Sequence, residues 1–385
     1  MPYPKQYMIG WICATVADFV AAQTLLDQEH ERPEYVSQHD NNGYAFGSIK
    51  DHNVVIAVFP DGEYGTSSAA MVARDMLHSF PDIRIGLMVG VAGGAPSPRH
   101  DIRLGDVVVS SPRDGIGGVF QYDFGKTIQE QKFQSGGFLN QPPTVLRTAV
   151  NGLETKYKMA GHQIEQTIQG ALKRNPRLRN NYSRPDASKD KLYRANVIHS
   201  DKACCATATG DERPKLVRRP PRTKDDDNPA VHHGLIASAN TVMQDALFRD
   251  QLSNEKDVLC FETEAAGLMN HFPCLVIRGI CYYSDTHKHE EWQGYAAMTA
   301  AAYAKDLLCL IAPNKVGAEG KIAEAFNDET NTGLETFKRA KLRHWLSPPG
   351  PSTYVNKALE QGRQGSGQLL LQNEAYSSKH PAPRK

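Results

Sequence analysis

The chain has no excess of charge of either sign. Its 385 residues carry 44 Lys and Arg against 43 Asp and Glu, a formal net charge of +1. That balance gives no global electrostatic case for nucleic acid or a membrane surface as a partner. No apolar run approaches the roughly 20 residues of a membrane span. The apolar stretch 8–16 is too short, and too soon followed by Asp18, to read as a signal peptide. Cysteine is scarce and odd in number: there are seven, with Cys13, Cys260 and Cys274 in apolar strand-like runs. That usage predicts reduced thiols and a cytoplasmic protein rather than a disulfide framework. Cys204 and Cys205 are adjacent, without the two-residue spacing of a zinc knuckle, so no metal site is expected. No G-x-x-x-x-G-K-[ST] phosphate loop and no internal repeat is present.

What is present is concentrated in residues 260–288, CFETEAAGLMNHFPCLVIRGICYYSDTHK. Residues 258–261 are a short apolar run of the length a buried strand uses. Glu262 and Glu264 then open a segment with helix character over 265–271, which Pro273 stops. Residues 274–280 predict a second buried strand. In α/β sheets the chemistry gathers at the carboxyl ends of strands, so Glu262, Glu264, Tyr282, Ser284 and Asp285 are expected at one mouth. Taken alone, the two glutamates also suit a helix N-terminus, where negative charge is stabilised.

Elsewhere the same texture recurs. Residues 7–13 predict a strand and 16–30 an amphipathic helix, with Asp18 as a first-turn acid. Residues 62–68, GEYGTSS, precede a helical run over 69–80. Thr66 and Ser67 either cap that helix or offer an anion site with its free N–H groups. Residues 85–94, IGLMVGVAGG, predict a strand running into a glycine turn, where Gly93 and Gly94 leave room for a ligand against the backbone. Residues 104–110, LGDVVVS, predict another strand with a polar end. In 234–245, GLIASANTVMQD, Val242 and Met243 suit either a ligand wall or the core.

These motifs, in this order, resemble the nucleoside phosphorylase/nucleosidase superfamily of purine nucleoside phosphorylases and methylthioadenosine nucleosidases. The likeness spans roughly the first 311 residues and is greatest to the fungal branch that forms the N-terminal module of NACHT-containing, NLR-like proteins. GWICATVADFVAAQTLLD, IRLGDVVVSSP, VFQYDFGK, GLIASANTVM and CFETEAAGLMNHFPCLVIRGIC carry it. Ordered motifs are far more specific than any single one.

The resemblance implies an α/β three-layer sandwich with a central mixed sheet, and cleavage of the N-glycosidic bond of a purine nucleoside or nucleotide. It implies that Glu264, with Glu262 and Thr263 beside it, holds the ribose. A carboxylate suits a diol because it accepts two hydrogen bonds. It places Asn240, Val242, Met243 and Phe261 around the base, and Thr66, Ser67, Ala92, Gly93 and Gly94 at the 5′ side or a phosphate. Asp18 corresponds to the acid that orients water, where the family commonly has Glu. No cofactor is implied beyond phosphate as a co-substrate, and relatives of this kind are usually homo-oligomers.

Two departures bear on activity. The fungal branch reads R-G-I-C-D-Y-A-D, whose first Asp is the general acid at the leaving purine. Here residues 278–285 read RGICYYSD, with Tyr282 in that place and Asp285 three residues on, so Asp285, assisted or replaced by Tyr282, is expected to serve the leaving base. Thr263 stands where a Met usually lines the ribose. Cleavage passes through an oxocarbenium-like sugar, and the departing base needs a proton or a strong hydrogen bond. A phenol with a pKa of about 10 supplies a proton poorly. An enzyme is therefore expected to be slow. The other expectation is a catalytically weak nucleoside-binding sensor of an NLR-like protein.

Two further regions stand apart. Residues 155–231 form a basic insertion, with Arg218 and Arg219 expected as phosphate contacts on a lid or as part of a solvated loop. Residues 313–320 read as a linker, and 313–385 as a partly disordered helical tail resembling the segment ahead of a NACHT ATPase.

Overall fold

A computed structural model describes residues 4–129, 133–199, 215–223 and 226–324. The tail beyond 324 and the Cys204–Cys205 pair lie outside the described residues. The strands are β1 (Ile9–Cys13), β2 (Gln28–Glu29), β3 (Gly43–Ile49), β4 (His52–Val58), β5 (Ile85–Gly94) and β6 (Val107–Ser110), then β7 (Val119–Gln121), β8 (Gly125–Lys126), β9 (Gln134–Ser135), β10 (Val231–Ser238), β11 (Val258–Glu262) and β12 (Cys274–Tyr282). The helices are α1 (Val16–Thr24), α2 (Thr66–Ser79), α3 (Thr144–Ala160), α4 (Ile164–Arg174), α5 (Arg179–Tyr182), α6 (Ala246–Lys256), α7 (Gln293–Leu310) and α8 (Pro313–Ala318).

The main sheet runs β11-β10-β6-β12-β5-β1-β4-β3-β2, with β7 on β10. It is mixed: β5 is parallel to β1 and β12, whereas β6 is antiparallel to β12 and β3 to β4. The end of β5 also pairs with β11, Gly93 opposite Phe261 and Gly94 opposite Cys260. Strands β5, β12, β6, β10 and β11 therefore close on themselves, and β1 to β4 extend from β5 as an open sheet. Buried apolar runs explain the centre: all of β1, β6 and β11 are buried, as is β12 up to Cys281. Strands covered on both faces read this way.

Helices cover both faces. Gly10 and Gly86 lie under Met76 of α2 and under Phe272, with no room for a Cβ. On the opposite face α7 lies against β12 and β5. A Cβ on Gly279 would come within 1.8 Å of the Ala296 carbonyl oxygen, so glycine there lets the α7 backbone approach the strand. Helices α1, α3, α4 and α5 pack around α7. This is the three-layer α/β architecture with a central mixed sheet that the sequence motifs imply. No single helix among the described residues is long and apolar enough to cross a membrane.

Four local expectations are corrected. The helix expected over 16–30 ends at Thr24, because Gln28 and Glu29 leave it to pair with β3. The helix expected over 265–271 is a 3-10 turn at Ala265–Gly267. There Glu262 accepts the Glu264 and Ala265 amides, and Gly267 sits against the Thr66 carbonyl, where a Cβ would come within 2.0 Å. The linker expected at 313–320 contains α8, and the chain stays docked: Val316 and Ile322 are buried, and the Ile322 N–H donates to the Ile83 carbonyl at 3.0 Å. The start of the basic insertion is the helical layer of α3, α4 and α5 rather than a loose loop.

The return of the insertion to the sheet is held by one carboxylate. Buried Asp106 accepts from the Arg103 and Ala230 amides, both at 2.9 Å, and from Arg222 at 2.5 Å, with His232 Nε2 at 2.9 Å. Burial alone would raise its pKa, but Arg222 and His232 outweigh that and hold the carboxyl down at about 2. A lowered folded pKa gives stability that is present above the unfolded value near 4 and lost as pH falls toward 2. Asp106→Asn is expected to cost about 1–3 kcal/mol at neutral pH in urea melts. It should also flatten the acid limb of stability between pH 4 and 2. A melt unchanged at both pH values would refute that role.

Candidate active site

A cavity of about 220 Å³ lies where the sheet motifs predict chemistry. Its lining comes from the residues after β1 (Ala14, Thr15, Asp18), the loop before α2 (Glu63, Tyr64), and the upper part of β5 (Val91, Ala92). The residues after β10 (Val242, Met243), the end of β11 (Phe261 to Glu264) and β12 (Arg278, Tyr282) complete it. Six segments distant in sequence thus converge at the carboxyl ends of the strands.

Arg278 organises the floor. It is the one charged residue in the apolar β12 run, and it is fully buried. Its guanidinium bonds Glu262, bonds Glu264 Oε2 at 3.0 Å, and reaches the Val91 carbonyl at 3.4 Å. Gly90 opens the space for this: a Cβ there would come within 2.7 Å of Asp18 Oδ2 and 3.0 Å of an Arg278 nitrogen. Three carboxylates therefore surround one cation. Glu262 is saturated by the turn amides and Arg278, so it holds the β11 end and its neighbour in place. Glu264 is the freer of the pair, braced by the Thr263 amide and hydroxyl. Burial raises the Glu264 pKa, Arg278 opposes the rise, and Glu262 adds to it.

Asp18 unites both of its sequence readings. Its Oδ2 accepts the Thr15 N–H at 3.1 Å and the Thr15 hydroxyl at 2.8 Å, while Thr15 Oγ1 accepts the Asp18 amide at 3.2 Å. That is a capping box for α1. The other oxygen, Oδ1, is buried and has no hydrogen-bond partner among the described residues. Burial pushes this carboxyl up to about 6, against the pull of the Thr15 hydrogen bonds, the Arg278 charge and the nearby Val91 amide. An acid poised there is ionised at neutral pH yet basic enough to take a proton. Its contribution to folding has the opposite sign to that of Asp106: it is present below pH 4 and lost as pH rises through about 6.

Tyr282 enters the cavity through a bulge, since the β12–β5 register shifts between Ile280 and Tyr282. A bulge re-aims a side chain. The ring lies over Gly93, where a Cβ would come within 2.6 Å of Cζ. Burial raises its phenol pKa above the ordinary tyrosine value. Phe261 and Met243 are buried in one small apolar cluster, with Tyr122 edge-on to Phe261 at 5.7 Å. Val242 is 51% exposed at the rim.

Of the residues the sequence singled out, Asp18, Ala92, Val242, Met243, Phe261, Glu262, Thr263, Glu264 and Tyr282 meet at the cavity. Others are placed elsewhere. Gly93 and Gly94 form no turn: β5 continues through both, and the space over them is filled by Tyr282 and Ser284, and by Ile280 and Ile102. Thr66 and Ser67 are the first residues of α2, capped by Gly65, and do not line the cavity. Asn240 accepts the Thr66 N–H at 3.1 Å and the Thr66 hydroxyl at 2.8 Å. It also donates its amide to Asp123 at 2.8 Å, so it fixes the rim without lining the cavity. Asp285 lies outside the lining as well. Its Oδ1 accepts the His287 amide at 2.8 Å, and Oδ2 lies 3.4 Å from His287 Nδ1. Arg218 and Arg219 line a different cavity, and Arg219 is paired with Asp190 at 3.0 Å. Among the described residues no cluster of His, Cys, Asp and Glu has the makings of a metal site.

Sequence reasoning missed Thr15, Glu63, Tyr64 and Arg278 as site residues. Two had a signal: T-V-A-D at 15–18 is a capping-box pattern, and Arg278 is a lone charge inside a buried strand. Glu63 and Tyr64 had none, because a loop's reach is set by packing.

Residues 9–179 match the Phosphorylase superfamily. A "nucleotide-binding leucine-rich repeat (NLR)-like protein" of the fungus Hyaloscypha variabilis is 43% identical over 311 residues, 80% of this chain. The chain spans 30% of the length of that relative. Solved structures similar to it include a 5′-methylthioadenosine/S-adenosylhomocysteine nucleosidase of Helicobacter pylori, at 15% identity and a TM-score of 0.48 over 79% of this chain and 98% of that one. Futalosine hydrolase of the same organism is similar at 14% identity, with the same TM-score and the same coverage. Residues 9–179 of the chain thus resemble a domain of the Phosphorylase superfamily.

Proposed function

We propose that this domain cleaves the N-glycosidic bond of a purine nucleoside with water, releasing the free base. The observation that carries the reading is the buried Asp18 carboxylate, one oxygen of which has no hydrogen-bond partner among the described residues, set beside Glu264 across Arg278. Glu264 would hold the ribose diol, and Val242, Met243 and Phe261 would flank the base. Asp18 would take a proton from water as its oxygen attacks C1′. The three buried carboxylates then face a sugar that becomes cationic in the transition state, an electrostatic fit worth most where water is excluded.

The same charges argue for water over phosphate. Among the described residues lining the cavity, Arg278 is the only cation, and its guanidinium already binds two carboxylates. A phosphate ion, or the 5′-phosphates of a nucleotide, would meet repulsion with no free counter-charge. The cavity is also small beside the ~300–1,000 Å³ of typical ligand pockets, which suits a nucleoside without its phosphates.

A second reading rests on Tyr282: a nucleoside-binding module with little turnover, in an NLR-like protein. Base release followed by chromatography decides between them, using inosine, guanosine, adenosine, methylthioadenosine, AMP and ATP, each with and without phosphate. Phosphate-independent release of base from a nucleoside is expected. Saturable nucleoside binding with no release from any substrate would leave the sensor reading standing, and strict dependence on phosphate would refute hydrolysis.

A further inference from the structure

The cavity has an acceptor for the proton of water but no evident acid for the departing base. Tyr282 is the polar side chain the strand delivers to that side, and a buried phenol is a weak acid. Asp285 is held by the His287 amide outside the lining. Of the other lining carboxylates, Glu262 is occupied by Arg278 and the turn amides, Glu264 by Arg278, Thr263 and the ribose, and Asp18 by Thr15 and the attack on C1′, while Glu63 stands exposed on the loop before α2. A neutral purine leaving such a site departs as an anion, which the surrounding negative charge disfavours.

A base that already carries a positive charge has no such need. The wall of the cavity is anionic, with Asp18, Glu63, Glu262 and Glu264 against Arg278, and it is aromatic, with Tyr64, Phe261 and Tyr282. Carboxylates and aromatic faces together attract a flat organic cation.

Building on the hydrolase reading, we propose that the preferred substrates are nucleosides whose base is already cationic, foremost purine nucleosides alkylated at N7. In the reaction a water oxygen bonds to C1′ and the C1′–N9 bond breaks. Its electron pair passes to N9, which cancels the positive charge of the ring, and the base leaves neutral. The water proton goes to Asp18 and from there to solvent. No proton is delivered to the base, so no general acid is required. Tyr282 then packs against the alkylated edge of the ring.

The test compares base release from 7-methylguanosine and 7-methylinosine with release from guanosine and inosine, with N-ribosylnicotinamide as a cationic non-purine. Spontaneous hydrolysis is subtracted using reactions without protein. The methylated nucleosides are expected to exceed their parents in kcat/KM by about 100-fold or more, the scale of one general acid. In Tyr282→Asp, where the carboxyl can protonate N7 of the parents, that ratio is expected to collapse at least tenfold. In Tyr282→Phe it should persist, because the phenol supplies no proton. Parents cleaved as fast as the methylated nucleosides by the wild type would overturn the proposal while leaving the hydrolase standing. A ratio unmoved by Tyr282→Asp would overturn it too. No release from any of these substrates by wild type or Tyr282→Asp would sink the hydrolase reading and this one with it.

Discussion

Asp18→Asn is expected to lower base release by about 10²–10⁴-fold, the usual contribution of a general base. The reasoning separates its two oxygens. Oδ2 serves the capping box with Thr15, a job an amide oxygen also does. Among the described residues Oδ1 has no hydrogen-bond partner, which makes it the atom left for water in the proposed reaction. The variant should therefore fold and bind nucleoside while losing turnover. The wild-type kcat/KM should rise with pH through about 6 and then level, because only the ionised carboxylate accepts a proton. That limb should vanish in the variant. Equal rates in the two proteins would remove Asp18 from the mechanism, and a variant that melts much lower would show that its main task is the cap.

Arg278→Met should produce the largest loss of stability, about 3–5 kcal/mol, as expected when one partner of a buried ion pair is removed. Met fills much of the space, but Glu262 and Glu264 would face each other inside the domain without a cation. The effect carries its own signature. Without Arg278 the main opposition to the burial that raises the Glu264 carboxyl is gone, so it would prefer the protonated form and the gap to wild type should narrow as pH falls from 7 toward 5. Urea melts at several pH values measure this. A gap below about 1 kcal/mol, or one that ignores pH, would show that the domain can repack or hydrate the site.

The fold was more legible than the site. Buried strands announce themselves as short apolar runs, and β5, β6, β11 and β12 fall where those runs lie. Segment ends were harder. Nothing local says that the chain after Thr24 should leave α1 to pair with β3, since that gain comes from a strand some twenty residues away. Nor does local texture say that 265–271 will be pinned under α2 by a contact at Gly267.

At the cavity, residues whose side-chain type suits chemistry were readable in part: Asp18, Glu262, Glu264 and Tyr282 reach it, and Asp285 does not. Glycines were misread in a physically instructive way. Gly93 and Gly94 do clear space beside the backbone, but protein side chains fill it, Tyr282 and Ser284 over one and Ile280 and Ile102 over the other. A small residue signals a close approach and does not say by what. Thr66 and Asn240 were placed near the right mouth, yet they bond each other. Short polar side chains at a rim often satisfy one another before they meet a ligand.

The closing of β11 onto β5 has a kinetic consequence. The long strands β5 and β12, which supply Val91, Ala92, Arg278 and Tyr282, are paired on both sides. Their amide hydrogens should exchange with deuterium only when the whole domain opens, whereas loop amides exchange through local fluctuations. Glu63 and Tyr64 stand on such a loop, with Tyr64 62% exposed. A nucleoside bound as proposed is therefore expected to enter and leave past a few residues at the edge, on a clock far faster than any motion of the floor beneath them.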